Sequence, residues 1–452
     1  MINFKRMARP PIVSGLVETF GLNPIVAFVV VLLTVLVCSL SIFWFFRSAP
    51  PKTLVITSGP QGSTFRRYAD SYAKILARNG VTLQVLPSQG SLENLQRLES
   101  SQPGVDIGFV QGGLTVGADL GNLVSLGSIA HQPLWLFYRS PKQISRLSEL
   151  AGLRIAVGAL GSGTHALALT LLQANGVTGT QAVFVDLDAD AAAAGLLGGK
   201  LDAVFLMGDS APIQTLRSLV RSPDVQMYSF IQADAYVRRY AYLDKLELPQ
   251  GSIDLGKNLP AQDVVLVGPT VELVARKGLH PALSDLLLEA AREVHGKAGL
   301  LQKRGEFPAP LEHEFTISDD AARYYKSGKG FLYRSVQSFW LASLLNRILV
   351  VFVPTLLVLI PVLRFLPVVY KLRIRLQIYR RYRPLLLIER DAAGPLTPEK
   401  EQELLQRIDK IEEAANHLKV PASFGDQFHL LRCHIALVRD RLRTAKPGSS
   451  IR

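Results

Sequence analysis

From residue 53 to 206 the chain alternates between short extended runs and helix-like stretches. Apolar extended runs at 53–57, 81–86, 105–110, 153–157, 181–186 and 201–206, with further strands near 124–130 and 133–138, interleave with helical patterns at 65–79, 91–100, 164–175 and 188–198. This alternation predicts mainly parallel sheets covered by helices. Asp263–Ala275 is again strand-like and Ala282–His295 has an amphipathic helix pattern, which would return the chain to a first lobe. The stretch between 51 and 340, roughly 290 residues, suffices for two α/β lobes. Hinges are expected near 131–136 and 250–262.

Two apolar runs enclose this region. Ile25–Phe46 carries no charge over 22 residues and at about 1.5 Å per residue would cross a bilayer core of roughly 30 Å. A cleaved signal peptide is the competing reading, but the run is long for one and ends in the bulky Phe43-Trp-Phe-Phe46. The second run covers Ile348–Leu363 and reaches Tyr370 if Arg364 snorkels; a re-entrant or surface helix is its competing reading. Lys5, Arg6 and Arg9 precede the first run, and Lys371, Arg373, Arg375, Arg380, Arg381 and Arg383 follow the second. By the positive-inside rule both termini are expected in the cytoplasm and the middle outside it.

After the second run the pattern becomes helical with a seam. Thr397-Pro398 reads as an N-cap followed by Pro at the first helical position. Leu404, Ile408, Ile411, Ala415 and Leu418 follow at heptad-like spacing, then Phe428, Leu431, Ile435, Val438 and Leu442 beyond Val420-Pro421. Two short seams joined by a Pro/Gly loop predict an antiparallel hairpin, self-packed or docked on a partner helix in a homo-oligomer or membrane partner.

The net charge of +13 is unevenly spread. Residues 51–340 hold 27 basic and 26 acidic side chains, whereas residues 371–452 hold 17 and ten. Basicity thus belongs to the membrane flank and tail, which suits anionic lipid as partner and argues against nucleic acid. The two cysteines, Cys38 and Cys433, leave the outer region without disulfides. The eight histidines form no His-x-x-x-His pair on an expected helix, so no metal or cofactor is expected. Residues 161–165 read Gly-Ser-Gly-Thr-His, not a nucleophile elbow, and the chain is not expected to be an enzyme.

Two loops share one plan. Ser58-Gly-Pro-Gln-Gly-Ser-Thr64 and Gly158-Ala-Leu-Gly-Ser-Gly-Thr164 each follow an extended run and open a helix; Ser88-Gln-Gly-Ser-Leu-Glu-Asn94 has the same character, with Ser91 as N-cap accepting from the N–H of Asn94. Helix N-termini attract anions through free N–H groups and the dipole. Three such ends suggest a small-anion site between two lobes.

Gly59-Pro-Gln-Gly-Ser-Thr-Phe65, Gln89-Gly-Ser-Leu-Glu-Asn94, Asp106-Ile-Gly-Phe-Val-Gln111, Val157-Gly-Ala-Leu-Gly-Ser-Gly-Thr164 and the closing Ile317-Ser-Asp-Asp-Ala-Ala-Arg-Tyr-Tyr325 resemble the motifs of the TAXI family, the extracytoplasmic solute-binding proteins associated with TRAP transporters. The resemblance covers about residues 52–335. It implies a two-lobed, type II periplasmic-binding-protein fold closing on a small carboxylate such as glutamate, a dicarboxylate or a 2-oxo acid. It implies Ser58, Gly62, Ser63, Thr64 and Phe65 as the first ligand loop, Ser91 and Asn94 as the second, Gln111 at the end of the third strand, and Gly161, Ser162, Gly163 and Thr164 facing them. Arg66-Arg67 after Phe65 departs from the family, where a second aromatic is common; either a solvated helix face or a carboxylate contact would account for it. Two membrane spans also depart from the usual free or lipid-tethered receptor and resemble a membrane-anchored branch.

The expected organisation is therefore a cytoplasmic N-terminus (1–24), a first span (25–46), a periplasmic α/β solute-binding domain (51–335; lobe I about 51–131 and 260–335, lobe II about 132–259), a second span (348–370) and a cytoplasmic helical tail (371–452), in a bacterial inner membrane, with TRAP membrane subunits as partners. The alternative function is a ligand-sensing signalling or scaffold protein whose tail contacts a partner.

Overall fold

The computed structural model describes residues 14, 17, 24–100, 104–115, 118–311, 313–336, 338–394, 397–417 and 424–444. Residues 49–345 form one compact unit; residues up to Ser48 and from Asn346 onward form another. Lys5, Arg6, Arg9 and Leu418 lie outside the described residues.

Within 49–345 one sheet is built on β1 (Thr53–Thr57), β2 (Thr82–Leu86), β3 (Ile107–Gln111), β4 (Leu123–His131), β10 (Leu243–Leu248) and β11 (Val264–Arg276), in the order β10–β11–β3–β1–β2 with β4 also on β11. β1 to β4 and the later half of β11 form the first lobe, whereas Leu243, Leu246 and Leu248 of β10 pack in the second-lobe core. β1 is parallel to β2 and β3, while β11 runs antiparallel to its neighbours. Helices α2 (Thr64–Arg78), α3 (Ser91–Glu99), α8 (Pro281–His295), α9 (Asp319–Ser327) and α10 (Phe331–Ser335) accompany this sheet. The stripe Phe65, Ala69, Tyr72, Ile75 and Leu76 of α2 is buried in the lobe core, as helical spacing of apolar residues dictates. The second lobe has the order β7–β6–β8–β5–β9, from β5 (Trp135–Tyr138), β6 (Arg154–Ala156), β7 (Val183–Val185), β8 (Ala203–Leu206) and β9 (Gln226–Met227), with α4 (Gly163–Ala174), α5 (Ala189–Leu197), α6 (Ile213–Arg221) and α7 (Ala233–Arg239).

The lobes are joined by two chain crossings that lie side by side. The first, at 132–134, falls inside the expected hinge. The second does not lie at 250–262, which is the loop between β10 and β11. It runs through β11 itself, where Gln132 N–H donates to Pro269 O (2.8 Å) and Leu134 N–H to Val267 O (2.9 Å). One 13-residue strand serves both lobes: Val264 and Leu266 pack in the second-lobe core, Val271, Leu273 and Ala275 in the first. The signal the sequence does carry is Gly268-Pro269 in mid-strand, a pair that marks a break in an otherwise apolar run and that reading 263–275 as one strand passed over.

In the other unit, α1 (Pro24–Arg47) and α11 (Phe339–Ala392) are long and apolar enough to cross a membrane. They pack antiparallel: Phe45 meets Phe352, the Ser41 and Thr355 hydroxyls are 3.0 Å apart, and Ala27 packs near Tyr370. The second apolar run touches the first at these points and continues through Pro354 and Pro361 as one unbroken helix. Its extension supplies Ile374, Ile378, Leu385 and Ile388 to a core shared with α12 (Pro398–Asn416) and α13 (Gly425–Thr444). Leu404, Ile408, Ile411 and Ala415 of one seam and Leu431, Ile435, Val438 and Leu442 of the other are buried there. The tail is thus a three-helix cluster, the partner helix coming from the same chain.

Candidate functional site

The N-termini of α2, α3 and α4 converge where the two lobes meet. Ser63 caps α2 by accepting from Arg66 N–H (3.2 Å), and Ser162 caps α4 by accepting from His165 N–H (3.1 Å). α3 differs from expectation: Gly90 is its N-cap and Ser91 its first helical residue. Gly90 has φ 138°, and a Cβ there would run into the Asp209 carboxylate, so this turn requires glycine. The Ser91 hydroxyl instead accepts from Gln111 N–H (3.3 Å).

The lobes touch directly through backbone and amide groups. Thr64 N–H donates to Gly208 O (2.9 Å), Glu93 N–H to Gly161 O (3.0 Å), and Gln111 Nε2 to Gly163 O (3.1 Å). At the centre lies a residue the sequence analysis did not single out. The Asp209 carboxylate, fully buried, accepts from Gly163 N–H (2.6 Å) and Ser91 N–H (3.4 Å) at Oδ2, and from the hydroxyls of Thr164 (3.0 Å) and Ser210 (2.9 Å) at Oδ1. Burial pushes the Asp209 carboxyl above its ordinary range, and these donors oppose that rise. Gln132, from the first crossing, anchors the same turn: with its amide oxygen turned toward them, it accepts from the N–H groups of Gly208 (2.9 Å) and Asp209. The missed signal was Gly208-Asp209-Ser210 at the C-terminal end of β8, a position where parallel sheets present ligand-facing loops. It lacks the Gly/Ser/Thr loop that drew attention to the other two strand ends.

The expected site residues divide accordingly. Ser91, Gln111, Gly163 and Thr164 lie at the lobe contact. Ser63 and Ser162 act as caps, and Gly161 abuts Gln89. Four face elsewhere, Phe65, Gly62, Asn94 and Ser58. Phe65 is wholly buried in the first-lobe core, 5.4 Å from the Phe109 ring, because it falls on the apolar stripe of α2. Gly62 is exposed at φ 81° and shapes the turn. Asn94 points into the first lobe, accepting from the Thr57 (2.6 Å) and Ser88 (2.7 Å) hydroxyls and donating to Ser58 O (2.6 Å) and Phe109 O (2.9 Å). It ties β1, β3 and α3 together, and Ser58 gives its own hydroxyl to Leu86 O. Arg66 pairs with Asp70 on the helix surface (3.0 Å). Beside the centre a cavity of about 350 Å3 opens between Gln61, Gln89, Leu187, Asp190, Ser210 and Pro212.

Residues 56–279 match the NMT1-like family. The matched stretch runs from within β1 to just beyond β11 and so contains the residues of the lobe contact. No curated protein matches the chain. Among solved structures, an ancestral arginine-binding protein bound to arginine is 15% identical, over 54% of this chain and 93% of its own, with a TM-score of 0.35. The periplasmic aliphatic sulphonate binding protein SsuA from Escherichia coli is 15% identical, over 66% and 84%, with a TM-score of 0.34. Holo ArgBP from T. maritima is 13% identical, over 54% and 92%, with a TM-score of 0.34. Likeness at this level says nothing of what the chain binds. Its fold is mixed α/β, with two sheets and two chain crossings between the lobes.

Proposed function

We propose that the chain is a membrane-anchored solute-binding receptor, a binding protein and not an enzyme, whose two lobes open and close on a small polar molecule. The observation that carries this reading is the lobe contact. Two lobes joined by paired crossings meet through three helix N-termini, with a cavity of about 350 Å3 at their junction, which is within the size range of small-molecule sites. Paired crossings permit hinge closure around a bound solute. In this reading α1 and α11 span the inner membrane, 49–345 faces the periplasm and the tail is cytoplasmic. The resemblance to TAXI receptors adds a finer form, in which a carboxylate solute is handed to TRAP membrane subunits.

A solute bound only by the folded protein raises its melting temperature. The full chain in lipid nanodiscs is therefore screened against amino acids, sulfonates, dicarboxylates and polyols. A saturable rise with one class is the expected result, and no rise with any class overturns the receptor reading. A second reading, a sensor reporting to the cell interior, is favoured by one feature: α11 is a single helix that carries both the second apolar run and part of the tail core.

A further inference from the structure

Asp209 stands where the receptor reading would place the carboxylate of a solute. Three of its four donors, Gly163 N–H, Thr164 Oγ1 and Ser210 Oγ, belong to the second lobe and hold the side chain there whether or not the lobes meet. The fourth, Ser91 N–H, comes from the first lobe at the start of α3 and reaches the carboxylate only when the lobes are together. The negative group thus sits between two helix N-termini of opposite lobes, each favouring an anion through its dipole and free N–H groups. No room is left for a second anion: Asp209 is fully buried and Gly90 lies against its Oδ2. Other donors expected to meet a ligand are also committed, Thr64 N–H to Gly208 O and the Gln111 amide to Gly163 O.

The geometry points to Asp209 as an internal ligand: its carboxylate fills the anion position of the closed cleft, holds α3 to α4 across the lobes, and excludes carboxylate solutes from that position. A carboxylate brought beside it would add a like charge next to a group whose own oxygens already take Gly163 N–H, Ser91 N–H and the Thr164 and Ser210 hydroxyls. The solute of the neighbouring cavity is then one that brings no carboxylate to this point. The inference rests on the receptor reading for what the cleft is for, but its test does not require the solute.

Asp209→Gly removes a CH2–COO− group, which acetate matches in size and charge. The full chain in nanodiscs is titrated calorimetrically with sodium acetate against sodium chloride, and hydrogen exchange is followed at amides 89–94 and 161–165. The wild type should show protected amides and no saturable acetate heat. The folded variant should bind acetate at least tenfold more tightly than the wild type, losing protection without acetate and regaining it with acetate. A folded variant that binds acetate no better than the wild type, or that keeps its protection unaided, overturns the inference. If Asp209→Gly does not fold, Asp209→Asn is compared by exchange alone. A tenfold loss of protection supports the inference, and unchanged protection overturns it. A wild type that binds no solute would sink the receptor reading and leave these acetate results as they stand.

Discussion

At the scale of single residues, buried polar groups decide what the lobes can do. Asn94 has the composition of a ligand contact and serves as a structural tie, because four partners in its own lobe consume its amide. Charge buried without such ties behaves differently. Burial raises the Glu272 carboxyl on β11 to about 7, so the folded protein holds it neutral where the unfolded chain would ionise it. Its folded value lies above its unfolded value. Its contribution is therefore full below about pH 4.5 and is lost as pH rises toward 7, at roughly 1.4 kcal/mol per pH unit. Glu272→Gln removes that loss. The melting temperature of the variant minus that of the wild type should grow between pH 5 and pH 8, and a constant difference would contradict the assignment. His295, held by burial at about 3, acts in the opposite sense, losing its contribution as pH falls below 6.5.

At the scale of elements, alternation of strand and helix was legible along most of the chain, because period-2 and period-3.6 patterns are local. The reading stopped short of α6, α7 and β10: α6 carries Ile213, Leu216, Leu219 and Val220 at helical spacing and was passed over, whereas α7 and β10 are short elements with mixed patterns. It failed again at β11. The loop at 250–262 has the Gly, Asn and Pro of a hinge, yet the chain changes lobes in mid-strand. Gly268 is where the two crossings touch, and a Cβ there would meet the Gln132 backbone. Gly268→Ala should separate the crossings, weaken the bonds of Gln132 and Leu134 to Pro269 and Val267, and cost about 1–3 kcal/mol by overpacking. Denaturant unfolding that places the variant within about 0.5 kcal/mol of wild type, the usual range of a neutral surface change, would show that the crossing is not constrained as described.

At the scale of the whole molecule, the decisive question is which side of the membrane each unit occupies. A reporter enzyme active only in the periplasm should work when fused after Leu300 and fail when fused after Arg390. Activity at both positions would make the second apolar helix a surface or re-entrant segment and remove the sensor reading with it. The sequence by itself determined the α/β alternation of the lobes, the two apolar helices, the tail seams and the helix N-termini that suit an anion. Each rests on residues close in the chain, where periodicity, capping and charge act directly. The mainly parallel sheets that the alternation led us to expect are mixed, with β11 and β5 antiparallel to every strand they pair with. Only the tertiary structure decided that α11 extends into the tail core, that β11 carries the second crossing, and that the Asp209 carboxylate lies between the starts of α3 and α4. Those three depend on side chains meeting across long stretches of chain. Whether a capped helix end receives a solute or a neighbouring carboxylate is set by what the fold brings to it, and no local pattern encodes that.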